Sequence, residues 1–81
     1  MSDDEIKWYT TLGGFNAKCE GHRLAIVLRS LGAKDALVSL QIRKHDGGLI
    51  YSANHTAPTE QLAVDKAKAD AQRMLRLKGV L

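Results

Sequence analysis

Apolar and polar positions alternate through most of the chain before Pro58 and then change to helical spacing. Ile6, Trp8, Thr10 and Leu12 alternate with Lys7, Tyr9 and Thr11, the pattern of a half-buried strand. Gly13-Gly14 breaks it, and Phe15, Ala17 and Cys19 then alternate with Asn16, Lys18 and Glu20 as a second short strand. Glu20-Gly21-His22 has the character of a turn. The segment Leu24–Leu31 admits two readings. Leu24, Val27, Leu28 and Leu31 have helical spacing with Gly32 at a C-cap position, whereas β-branched Ile26 and Val27 between turn residues favour a strand. The strand is the preferred reading. Val38, Leu40 and Ile42 alternate with Ser39, Gln41 and Arg43; His45-Asp46-Gly47-Gly48 supplies a hairpin turn, and Leu49–Ala53 returns.

Beyond Pro58 the pattern predicts one helix, from Glu60 to about Lys78, capped by Thr56 or Thr59 and ended by Gly79. The run holds no Pro or Gly and is rich in Ala, Lys, Gln, Arg and Leu. Val64, Ala67, Ala71, Met74 and Leu75 share one face, with Ala63 beside them; Gln61, Asp65, Lys68, Gln72 and Arg76 take the other. Alanines in the middle of the stripe let the helix lie close to a sheet, and Leu62, Met74 and Leu75 are expected to fill its ends. The predicted fold class is α+β: a small antiparallel β-sheet, built as a meander of hairpins, packed on one face by a C-terminal α-helix.

Composition narrows the function. With 81 residues the chain has room for one domain and one modest core. A doubly wound nucleotide fold and a barrel enzyme are excluded by length. The domain is expected to span residues 6–81, behind an acidic leader at 1–5. The formal net charge of +3 conceals an asymmetry. Asp3, Asp4 and Glu5 hold three of the nine acids, so beyond them twelve basic side chains face six acids and the body carries about +6. Such a balance favours phosphates or an acidic protein face, although the leader could fold back and screen it. The single cysteine, Cys19, allows no internal disulfide and fits a reduced, cytoplasmic setting. No apolar run approaches the ~20 residues of a membrane span.

Candidate chemistry is sparse. Cys19 and His22, with His45 and His55, offer zinc ligands on paper, but His45 and His55 flank opposite ends of one strand, ~30 Å of extended chain apart. The histidines are read as exposed turn residues and Cys19 as a small inward one. No carboxylate pair or oriented base is evident, and Glu60, Asp65 and Asp70 look like ordinary helix partners for Lys68 and Arg73. Neither Gly13-Gly14 nor Gly47-Gly48 has the spacing of a phosphate loop. Neither catalysis, metal nor cofactor is therefore expected. The candidate binding residues are Lys18, Arg23, Arg29, Arg43 and Lys44 on the strands and turns. If Lys18, Arg23, Arg29 and Arg43 share the open sheet face, they form a basic platform suited to a phosphate backbone. Trp8 and Tyr51 could stack on bases if they faced outward, but Trp8 has the parity of Ile6 and Leu12 and is read as core.

Trp8, Gly14-Phe15-x-Ala17, Gly21-x-x-Leu24-x-Ile26, the Gly47-Gly48 turn and Pro58-Thr59-x-x-Leu62-Ala63-x-x-x-Ala67 together resemble small phage- and mobile-element-encoded proteins of β-β-β-α build, anti-CRISPR proteins among them. These motifs cover most of the chain but consist of turn and cap chemistry. The resemblance implies a non-enzymatic binder that occludes a host defence or regulatory protein or nucleoprotein complex, working in the host cytoplasm. Double-stranded-RNA-binding domains also place a helix on three strands, but they begin with a helix this chain lacks and carry lysines where Glu60 and Gln61 stand. The alternative function is a nucleic-acid-binding module using the same basic residues. Uncovered strand edges leave room for a homodimer.

Overall fold

Turn chemistry at three points folds the alternating segments into consecutive hairpins. The computed structural model describes residues 6–31 and 35–80; the acidic leader and Gly32 lie outside them. The elements are β1 (Tyr9–Thr11), β2 (Gly14–Cys19), β3 (His22–Leu31), β4 (Ala36–Lys44), β5 (Leu49–Ala57) and α1 (Glu60–Leu77). The strands form one antiparallel sheet in the order β1-β2-β3-β4-β5, so each strand pairs with its neighbour in sequence. The α+β meander is thus as expected, with five strands rather than the three of the β-β-β-α build, and Leu24–Leu31 is strand.

The β2–β3 hairpin is the tightest. Cys19 pairs directly with His22, leaving a two-residue loop in which Glu20 (φ 48) and Gly21 (φ 79) both have positive φ. That is the geometry of a type I′ turn, whose twist matches the flanking strands. Gly14 answers a different demand. A Cβ there would lie 1.9 Å from the Ile26 carbonyl oxygen, so only glycine lets β2 approach β3 at this point.

Alternation then sorts the side chains. Ala17, Leu24, Ile26, Val38, Leu40 and Ile42 lie buried beneath α1, which packs chiefly on β4 and β5 and reaches β3. The helix contributes Ala63, Val64, Ala67, Ala71 and Leu75, and these three of its four alanines are fully buried, as close approach to a sheet requires. Thr59 is the N-cap, its side chain accepting from the Leu62 N–H.

Four expectations change. The first strand shrinks from Ile6–Leu12 to Tyr9–Thr11; Ile6 and Trp8 still pack on the core, but Leu12 enters the turn and is fully exposed. The last strand runs on to Ala57, because only Pro58 stops it. Leu62 is half exposed rather than filling the helix end. Lys68 is not solvated on the far side of the helix: its Nζ sits 4.8 Å from the Phe15 ring centroid, capping the β2 end of the core.

Candidate functional site: the basic sheet face

The helix covers one face of the sheet and leaves the other open. Pairing register decides what that open face presents. Lys18 lies opposite Arg23, and Arg23 lies opposite Arg43, so three cations stand in a row across β2, β3 and β4. Adjacent strands are about 4.8 Å apart, and the row spans roughly 10 Å. Like charges placed directly opposite repel. Lys18 and Arg23 are exposed and have no carboxylate or hydrogen-bond partner among the described residues. Arg43 is half-buried and held in place: its Nη1 donates to the Gly47 carbonyl at 3.1 Å and its Nη2 to Gln41 Oε1 at 3.3 Å. The described strands carry no acidic side chain on this face; Glu20 and Asp46 occupy the turns at its rim.

The next cross-strand row is small and polar. Asn16 faces Ala25, Ala25 faces Gln41, and Gln41 faces Ser52. With Tyr9 paired to Asn16 at the edge, the Asn16, Ala25 and Gln41 part of this row and the cation row line a hollow of about 380 Å³. Tyr9, Lys18, Arg23 and Arg43 line it together with the Asn16 and Gln41 side chains and Ala25. Tyr9 is 53% exposed. Further along the strands Arg29 Nε donates to Ser39 Oγ at 3.0 Å, and that hydroxyl donates to Asn54 Oδ1 at 2.8 Å. Arg29 sits at the bulge where β3 slips one residue against β4; alternation from Arg23, Ala25 and Val27 puts it on the open face, where the bond to Ser39 holds it.

Lys18, Arg23, Arg29 and Arg43 therefore share one face. Lys44 does not: it follows Arg43 by one residue, opposes His22, and alternates to the helix side of the sheet. The proposed stackers also change. Tyr51 faces α1, where its hydroxyl donates to Asp70, and Trp8 packs on the core. Tyr9, Asn16 and Gln41 were not among the candidates from sequence. The odd parity of Tyr9 relative to Ile6 and Trp8 was the available signal.

A second polar cluster lies under the helix, and it too departs from expectation. Asp70 is 7% exposed. Its Oδ2 accepts from the Tyr51 hydroxyl at 2.7 Å and from His55 Nε2 at 2.9 Å, and its Oδ1 accepts from Arg73 at 2.6 Å. His55 is thus no exposed turn residue but a half-buried member of β5. Burial works to raise the Asp70 pKa, but the hydrogen bonds from Tyr51, His55 and Arg73 outweigh it and hold the carboxyl below its ordinary value. The same bond to Asp70, reinforced by burial, raises the Tyr51 phenol. Burial likewise raises the Cys19 thiol, the wrong direction for a nucleophile.

No group of three His, Cys, Asp or Glu side chains among the described residues is placed to hold a metal ion. Among the described residues no helix is long and apolar enough to cross a membrane. No protein-family model, curated protein or solved structure matches this chain.

Proposed function

We propose that this chain is a non-enzymatic binding protein that docks its uncovered sheet face on an anionic surface of a protein or nucleoprotein complex. The observation that carries the reading is the in-register row of Lys18, Arg23 and Arg43 on a face whose described strands hold no carboxylate. A fold gains nothing from lining up three like charges, whereas a partner of opposite charge converts that repulsion into affinity. The hollow beside the row is lined by cations, amides and a phenol, with no carboxylate or imidazole to move a proton. The resemblance to small phage-type inhibitors points to a host defence or regulatory complex as the target and to the cytoplasm as the place of action.

Two variants of equal net charge test the reading. Lys18→Glu with Arg23→Glu reverses the row, and Lys66→Glu with Lys78→Glu reverses two exposed lysines elsewhere. Affinity for a heparin surface at moderate salt is expected to fall at least about tenfold for the first pair and to change less than about threefold for the second. Equal losses from both pairs would mean that only net charge matters, and the face would have no special role.

A further inference from the structure

We infer that the anionic ligand of the open face is a single strand of nucleic acid, with one base seated in the hollow between Tyr9 and Ala25 and its phosphates on Lys18, Arg23 and Arg43. The inference rests on the binding role proposed above and names the component of the target that the face grips.

Four observations point the same way. The hollow is of ligand size, about 380 Å³, and Lys18, Arg23 and Arg43 line it in the row next to Asn16, Ala25 and Gln41. An acidic protein surface would need only the charges, whereas a nucleotide needs charge beside a place for a flat ring. Ala25 adds little bulk to the lining, and its neighbours across the sheet, Asn16 and Gln41, present side-chain amides able both to donate and to accept at a base edge. Tyr9, more than half exposed on edge strand β1, supplies the aromatic surface against which a base can stack. Arg43 is already oriented by Gly47 and Gln41, so its ordering cost is met before a ligand arrives. A duplex fits this arrangement poorly, because its bases are stacked on one another and cannot reach Tyr9 without being flipped out.

The contact set sets the expected numbers. Three phosphate contacts to a single strand give a slope of log affinity against log salt of about −2, or a loss of roughly 20-fold between 50 and 200 mM salt. Removing one cation should flatten the slope by about 0.7. Stacking of one base implies a loss of at least about fivefold when the ring is removed.

The test is fluorescence anisotropy with the full chain and four probes: a mixed-sequence DNA single strand, the same backbone without bases, the matching duplex, and polyglutamate. The expected result is tightest binding to the base-bearing strand, with the slope given above. Tyr9→Ala should remove the preference for bases, Tyr9→Phe should keep it, and Lys18→Ala should flatten the salt slope. Thermal melts of the three variants establish that they remain folded. Equal affinity for the abasic strand, or stronger binding of the duplex, overturns the seated base while leaving the anionic docking face intact. Binding of polyglutamate without binding of either single strand overturns the nucleic-acid ligand and leaves an acidic protein surface as the partner. Failure to bind any of the four probes overturns both this inference and the function it rests on.

Discussion

Replacing Asp70 by Asn isolates the charge of the one carboxylate buried between helix and sheet among the described residues. The side chain accepts three hydrogen bonds, two at Oδ2 from Tyr51 and His55 and one at Oδ1 from Arg73. Asparagine offers a single acceptor oxygen. Its best orientation keeps that oxygen toward Tyr51 and His55 and turns the amide N–H groups toward Arg73, whose side chain is 62% exposed and swings into water. Each surviving bond passes from charge-assisted to neutral, a loss of about 1 kcal/mol apiece, while the exposed Arg73 pair adds less than about 1 kcal/mol. The sum is about 2–3 kcal/mol, or roughly 10–20 °C in the unfolding midpoint of a domain this size.

The pH dependence follows from the direction of the shift. The folded-state pKa of Asp70 lies below its ordinary value, because hydrogen bonds from Tyr51, His55 and Arg73 overcome the opposing effect of burial. Its stabilisation is therefore complete above the unfolded value of about 3.9 and is lost as pH falls through the lower folded value. Guanidinium unfolding of both proteins from neutral pH down to about pH 2 should show the gap narrowing through the acid range. The two proteins differ only at residue 70, so the difference reports Asp70. A gap that stays constant with pH, or a neutral-pH cost below about 0.5 kcal/mol, would refute the assignment of stability to this charge.

The remaining expectations concern the sheet. Gly14→Ala places a methyl group 1.9 Å from the Ile26 carbonyl oxygen and must push β2 from β3; a cost of about 2–3 kcal/mol is expected by urea denaturation, and a cost near zero would contradict the strand spacing. Glu20→Asn puts a residue suited to positive φ at the first position of the two-residue turn and should raise stability by roughly 0.5 kcal/mol; a fall on thermal melting would contradict the turn type. Arg23→Thr removes the central charge of the cation row and should leave stability unchanged or raise it by up to about 0.5 kcal/mol while weakening binding to polyanions; a large fall in stability would show that Arg23 serves the fold.

The fold was legible because alternation and turn residues agree along nearly the whole chain. Ile26 and Val27 decided β3 correctly despite the helical spacing of its leucines, and the run from Glu60 gave α1 its full length. Leu12 was misplaced because parity continues through a turn that the backbone does not respect. Lys18, Arg23, Arg29 and Arg43 fell on one face as their parity allowed, but their alignment into a row depends on pairing register, which only the turn lengths fix. Asp70 was misjudged for a more instructive reason. It stands three residues after Ala67 and beside Ala71, inside the apolar stripe, and a carboxylate there needs donors from whatever it packs on. Tyr51 and His55 have matching parity in β5, so the partners were present; what was missing was the length of β5 beyond Ala53.

The buried cluster that stabilises the fold and the face proposed to bind consequently lie on opposite sides of one sheet. On the helix side Tyr51, His55 and Arg73 offset the cost of burying Asp70, and no buried side-chain nitrogen or oxygen of the described residues lacks a hydrogen-bond partner. On the open side Lys18 and Arg23 stand opposite one another with nothing among the described residues to neutralise them. Substitutions on the two faces should therefore separate: changes at Asp70 or Tyr51 alter the unfolding midpoint, whereas changes at Lys18 or Arg23 alter affinity and its salt dependence. The strand that joins the two is β3, whose Leu24 and Ile26 point into the core while Arg23 and Ala25 face outward. A core change there, such as Ile26→Ala, would disturb both faces at once, costing about 2–5 kcal/mol through the cavity and shifting the strand that carries Arg23. That coupling makes the surface residues, rather than the core, the proper place to test what the open face binds.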